Sequence, residues 1–190
     1  MRQRGFSLAE LVVVVGIVLT MAAVSLPPFR PLFAEWQLVS AGQAFRTQFR
    51  LAASMAVRSN VYTAIRFEQR GDEVWYSVYR DGNHNGVLAV DIASGKDARV
   101  SGPFPLTSGA PSVRVGINPG VPAIPPDSGT LGGDPIQFGR SDTLSFSPLG
   151  TATPGTFYLA GEFAQAAVRV TPGSARVRLM ICRGGRWSER

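Results

Sequence analysis

From Leu11 to Leu26 the chain is almost continuously apolar, and the run is introduced by Phe6-Ser7-Leu8-Ala9-Glu10. Counted from Phe6 to Leu26 it is 21 residues long, about 30 Å as a helix and enough to cross a hydrocarbon core. Pro27 and Pro28 then mark a bend or break. From Phe29 to about Arg58 the apolar positions take helical spacing. Phe29, Leu32, Phe33, Trp36, Val39, Phe45, Phe49, Ala52, Ala53 and Ala56 form one stripe with steps of three and four. That spacing predicts a second helical stretch over 29–60, packed on a sheet. Arg46, Arg50, Ser54 and Arg58 lie on another, solvated side, and Ser59-Asn60 is the expected stop. Past Asn60 short β patterns separated by turn residues predict a strand-rich head over 61–190. The expected strands are Val61–Phe67, Glu73–Tyr79, Leu88–Ile92, Val113–Ile117, Thr143–Phe146, Phe157–Ala160, Ala167–Val170 and Arg176–Ile181. Residues 101–135 hold eight prolines and seven glycines and predict a long irregular loop. The class is α+β, an N-terminal helix on an antiparallel sheet or sandwich.

Composition sharpens this picture mainly by exclusion. In 190 residues there is room for one domain with appendages. The single cysteine, Cys182, excludes an intrachain disulfide and a cysteine-based zinc cage. The single histidine, His84, leaves no second imidazole for metal or triad chemistry. No nucleophile elbow, phosphate loop or metal pair is present, so the expectation is a protein that is not an enzyme. The net charge of +6 is uneven: residues 1–70 carry +5, residues 71–162 carry −4 and residues 163–190 carry +5. A basic tail on a neutral-to-acidic body fits nucleic acid, an anionic surface, or simply a solvated strand face.

The N-terminus carries the most specific signal. Arg2 and Arg4 precede the apolar run, placing its start on the cytoplasmic side of a membrane. A cleaved secretory signal shares this layout, with Ala23-Val24-Ser25 as a small-x-small site. A plain membrane anchor accounts for the length. Neither accounts for Glu10, because an ionisable group inside a membrane helix is costly and needs a partner. The natural partner is a free α-amino group made by cutting just before Phe6.

Gly5-Phe6-Ser7-Leu8-Ala9-Glu10 resembles the processing site of type IV prepilins and type II secretion pseudopilins. The resemblance implies that a prepilin peptidase removes residues 1–5 between Gly5 and Phe6 and methylates Phe6. It also implies that Glu10 neutralises the N-terminal amine of a neighbouring subunit during assembly, with 6–28 as the transmembrane and assembly helix. The stretch Leu51 to Asn60, the segment Phe146-Ser147-Pro148-Leu149-Gly150-Thr151 with Gly155 to Leu159, and the final strand Ala175 to Leu179 resemble the GspH/FimT pseudopilins. This resemblance implies a pilin-like fold. It also implies a minor pseudopilin or pilin subunit that supports protein secretion or pilus biogenesis. Its partners would be other pilin or pseudopilin subunits. The protein would sit in the bacterial inner membrane as a single-pass protein with a periplasmic head, joining a pseudopilus or pilus. Removing residues 1–5 lowers the net charge from +6 to +4.

Two further constellations stand out. Asp81-Gly82-Asn83-His84-Asn85-Gly86 matches the first half of a calcium loop, with Asp81, Asn83 and Asn85 as the candidate ligands. The twelfth position is Ile92, Asp91 comes one residue early, and the Asn/Gly-rich run also suits a hairpin turn with His84 exposed. In the tail, Arg176 and Arg178 share one face of the final strand, opposite Val177, Leu179 and Ile181. Arg183, Arg186 and Arg190 follow, with Trp187 among them, a combination suited to phosphates and bases. Some FimT-like minor pilins bind DNA for uptake through a C-terminal glycine–arginine–x–arginine element. Here Ser174 and Ala175 separate Gly173 from Arg176. Cys182 reads as a half-buried apolar residue.

Overall fold

A computed structural model describes residues 7–25, 29–71, 73–106 and 110–190. It divides into two compact units, one ending at Phe33 and the other comprising Ala34–Arg190.

In the first unit, α1 (Leu8–Ser25) is an 18-residue helix with Glu10 in its first turn. Its described side chains, Leu8 to Ala23, are all exposed. Thr20 Oγ1 donates to the carbonyls of Gly16 and Ile17 at 3.0 and 2.8 Å, which satisfies the hydroxyl within the helix's own backbone. At 1.5 Å per residue α1 extends about 27 Å. Among the described residues no helix is long and apolar enough to cross a membrane. The expected crossing starts at Phe6 and ends at Leu26, and both lie outside the described residues.

α2 (Arg30–Ser59) follows. Asn60, at φ 53°, ends it where the sequence predicted a stop. The buried positions on α2 are Ala34, Leu38, Gly42, Phe45, Phe49, Ala52 and Ala56. Within the second unit the expected stripe holds at Phe45, Phe49, Ala52 and Ala56 and fails at Trp36, which is 78% exposed. Ala34, Leu38 and Gly42 take the inner side there, where the helix lies close to the sheet. A Cβ at Gly42 would sit 2.6 Å from Leu179 Cδ1.

Two antiparallel sheets complete the head. The first has the order β3-β2-β1-β6, built from β1 (Thr63–Arg70), β2 (Glu73–Arg80), β3 (Ala98–Pro105) and β6 (Thr143–Phe146). The second has the order β10-β9-β8-β7-β4, from β4 (Arg114–Val115), β7 (Gly155–Ala160), β8 (Gln165–Val170), β9 (Val177–Arg183) and β10 (Arg186–Glu189). The short β5 (Ile136–Gln137) also pairs with β7. Val177, Leu179 and Ile181 point inward from β9, as the alternation predicts. Phenylalanines join the layers. Phe45 of α2 lies 5.1 Å from Phe157 of β7, and Phe67 of β1 stacks on Phe157 and Phe138 at 5.5 and 5.8 Å.

Two sequence expectations are corrected. Leu88–Ile92 is not a strand: α3 (Ala89–Ser94) occupies it, closed by Gly95 at φ 78°, whose N–H bonds to Asp91 and Ile92 carbonyls. A five-residue stretch with four apolar residues does not distinguish strand from helix, and the buried carboxylates described below, Asp91 among them, settle the matter. Residues 101–135 are also less irregular than expected. Part of the segment forms β3 and β4, and residues 117–131 cover the outer face of the second sheet. Ile124, only 3% exposed, packs there with Tyr158 and Ala167, flanked by Met180 and Trp187. Buried Gln165 pins the segment by donating to the Gly116 carbonyl at 2.9 Å and accepting from the Asn118 N–H at 2.8 Å.

Candidate functional site

Of the processing and assembly residues, Gly5 and Phe6 lie outside the described residues. Glu10 lies in the first turn of α1, exposed like its apolar neighbours. A carboxylate at that end is favoured by the helix dipole.

The basic tail folds as a hairpin. β9 turns into β10 through Gly184 and Gly185, at φ 52° and 76°, the two consecutive positive-φ positions of a type I′ turn. The hairpin returns Glu189 to the arginines. Arg178 Nε donates to Glu189 Oε2 at 2.9 Å, and its Nη2 bonds to the same oxygen. Arg176 Nη2 lies 3.8 Å from the other carboxylate oxygen. The hydrogen bond from Arg178 holds the Glu189 carboxyl below its usual range and raises the guanidinium's own pKa. Arg183 points elsewhere and pairs with Glu35 of α2, while Arg46 Nη1 donates to the Arg190 carbonyl at 2.8 Å. Arg186 is exposed and forms no ion pair with a described residue. The structure thus brings Arg176 and Arg178 together as expected but shares both with one acid, and it turns Arg183 toward the helix. Glu189 and Glu35 were missed as members of this site. The Gly184-Gly185 pair between strand-forming residues was the signal that could have found Glu189.

The candidate calcium loop is organised by three buried aspartates. Asp81 Oδ1 accepts the N–H groups of Asn83 and His84 at 3.0 and 2.8 Å, and its Oδ2 accepts that of Gly86 at 2.8 Å. Asp97 accepts from Gly82 and Leu88 N–H groups at 3.1 and 3.0 Å. Asp91 Oδ2 accepts from the Asn85 and Asn83 amides at 2.9 and 3.3 Å, and Lys96 Nζ lies 3.6 Å from Oδ1. Those amide hydrogen bonds, Asn85 first, hold the Asp91 carboxyl below its ordinary value. Gly82 is required: a Cβ there would lie 2.0 Å from the Lys96 carbonyl oxygen. Asp81, Asn83 and Asn85 do lie in one loop, and Asp91 and Asp97 join them through hydrogen bonds. Among the described residues no group of three or more histidine, cysteine, aspartate or glutamate side chains is placed to hold a metal. Cys182 is more buried than expected, and that burial pushes its thiol pKa up.

A family model described as type II transport protein GspH matches residues 41–185. The match takes in residues 41–59 of α2, the first sheet, the second sheet except β10, and the 81–97 loop, and it ends with the Gly184-Gly185 turn. No curated protein and no solved structure matches the chain.

Proposed function

Because the chain belongs to the type II transport protein GspH family, whose members are minor pseudopilins of type II secretion, we propose that it assembles through its N-terminal helix into a pseudopilus or a related pilus. In this reading a prepilin peptidase cuts between Gly5 and Phe6 and methylates Phe6. The helix then crosses the inner membrane and leaves the head in the periplasm. Glu10 pairs with the Phe6 amine of a neighbouring subunit, and no catalytic step is assigned to the head. The observation that carries the proposal is α1 itself: a helix exposing apolar side chains all round, with one carboxylate in its first turn. A helix of this kind needs lipid or other helices around it, and a lone acid within it needs a cation.

The test is mass spectrometry of the protein from its native envelope. The expected mature chain begins with N-methyl-phenylalanine from Phe6. A mature chain starting after Ser25 would instead establish a cleaved secretory signal. Glu10→Gln should be processed normally yet fail to enter filaments; normal incorporation would remove the role given to Glu10.

A DNA-binding minor pilin is the second reading, and its support is the pair Arg176 and Arg178 together with the exposed Arg186 at the turn end of the same hairpin. It is the weaker one. Glu189 lies on two of these cations and Glu35 on Arg183, so few charges remain for phosphates.

A further inference from the structure

The outer face of the second sheet carries a groove of about 400 Å³ between the 124–126 stretch and the turn after β8. Ile124, Pro126, Met180 and Trp187 supply apolar walls, and Arg169 and Arg178 supply two guanidinium groups. No carboxylate lines it. The two arginines are direct cross-strand partners on β8 and β9. Like charges placed opposite each other on a sheet are destabilising unless acids offset them.

Each arginine has an acid on the flank of the groove. Arg169 Nη2 lies 3.3 Å from Asp127 Oδ2, and Arg178 bonds to Glu189. The Asp127 side chain is 62% exposed, and surface pairs of that kind contribute about 0–1 kcal/mol. The Asp127 pair is readily exchanged for an incoming carboxylate, whereas Arg178 keeps its two hydrogen bonds to Glu189 and offers its remaining donors. Trp187 gives the groove a fixed wall, since its Nε1–H donates to the Pro122 carbonyl at 2.9 Å.

We propose that this groove binds an acidic, extended segment of a partner protein. One carboxylate sits between Arg169 and Arg178, and a neighbouring apolar side chain rests on the half-buried Met180 and Trp187. The volume is in the range of small-ligand sites and suits a few side chains. Nucleic acid fits less well. Two cations neutralise few phosphates, which leaves little electrostatic affinity for a nucleic-acid backbone. The inference does not depend on processing at Gly5 or on filament entry, so either can fail without the other.

The test uses the full chain in detergent micelles and fluorescence anisotropy. The probe is a fluorescein-labelled peptide, Leu-Asp-Phe-Glu-Leu. Its amide counterpart, Leu-Asn-Phe-Gln-Leu, and a short oligothymidylate serve as competitors. The acidic peptide should bind about tenfold or more tightly than the amide form, a difference of about 1.4 kcal/mol. Combining Arg169→Gln with Arg178→Gln should remove that preference, and Arg99→Gln, exposed on β3 of the other sheet, should leave it intact. Should the double variant lose its near-ultraviolet circular dichroism, Arg178→Lys decides. It keeps the charge, loses the bidentate fork, and should weaken peptide binding several-fold. Equal binding of the two peptides, no binding of either, tighter binding of the oligonucleotide, or indifference to the arginine substitutions would each overturn the proposal.

Discussion

Truncating Phe49 to alanine tests where α2 meets the head. Phe49 is fully buried and reaches both sides of the core, with ring centroids 6.3 Å from Phe67 and 5.9 Å from Phe138. Its loss removes a large apolar side chain and leaves a cavity among rings that cannot all collapse inward. Such truncations cost about 3–5 kcal/mol, and two edge-to-face ring contacts place this one toward the upper end. For a unit of this size each kcal/mol moves the melting temperature by about 2–4 °C. The expected fall is therefore about 6–20 °C. Trp36→Ala is the matched control. Trp36 is the larger ring and belongs to the same helix, but it is 78% exposed, and an exposed substitution of this kind stays within about 0.5 kcal/mol. Thermal unfolding of both variants in detergent, followed by near-ultraviolet circular dichroism, compares them directly. If Trp36→Ala destabilises as much as Phe49→Ala, the inner side of α2 has been assigned wrongly.

Gly155→Ala should destabilise the head by about 1–3 kcal/mol, because a Cβ there would lie 2.1 Å from the Gln137 carbonyl oxygen where β5 pairs with β7; denaturant unfolding that leaves the midpoint unchanged would refute this. Asp91 and Glu189 both have carboxyls held below their ordinary values, so their contribution is present above about pH 4 and lost as pH falls through the folded-state values. Melting temperature should drop on acidification from pH 5 to 3, and Asp91→Asn should make that drop shallower. Calcium at millimolar concentration should leave the melting temperature unchanged, since the oxygens of Asp81 and Asp97 already accept backbone N–H groups; a rise of several degrees would establish a site that binds only the folded state. DNA binding, if measured at low ionic strength, should be weak, and Arg176→Gln with Arg178→Gln should flatten its salt slope by no more than about two units.

Local patterning revealed most of the elements. Thr143–Phe146 is β6 as read from its alternation, and the helix stop at Ser59-Asn60 holds because Asn tolerates φ 53°. What escaped was set by residues distant in sequence. The inner side of α2 turns on Gly42 meeting Leu179, and a helical period gives no hint of that distance. α3 forms in place of a strand because Asp91 and Asp97 tie the 81–97 segment into a compact loop. β10 was missed because Arg186 and Glu189 made it look like a charged terminus, yet a short charged strand is a usual protection for a sheet edge. The 101–135 segment was missed as a covering layer because proline and glycine signal turns and say nothing of what the turns pack against.

The two units differ in how completely they satisfy their own groups. In the head, the loop aspartates accept backbone N–H groups and Gln165 bonds the Gly116 carbonyl and the Asn118 N–H. Even the basic tail carries Glu189 on its arginines. α1 is the reverse case. Ten of its large apolar side chains, from Leu8 to Met21, are exposed, and burying each is worth about 1.5–3 kcal/mol. That sum is at least comparable with the 5–15 kcal/mol that holds an ordinary domain together. On the proposed function that demand for burial is met by lipid or neighbouring helices, and a neighbour presenting a cation would offset the charge of Glu10. In the proposed assembly the apolar helix would supply the affinity and the single carboxylate the register.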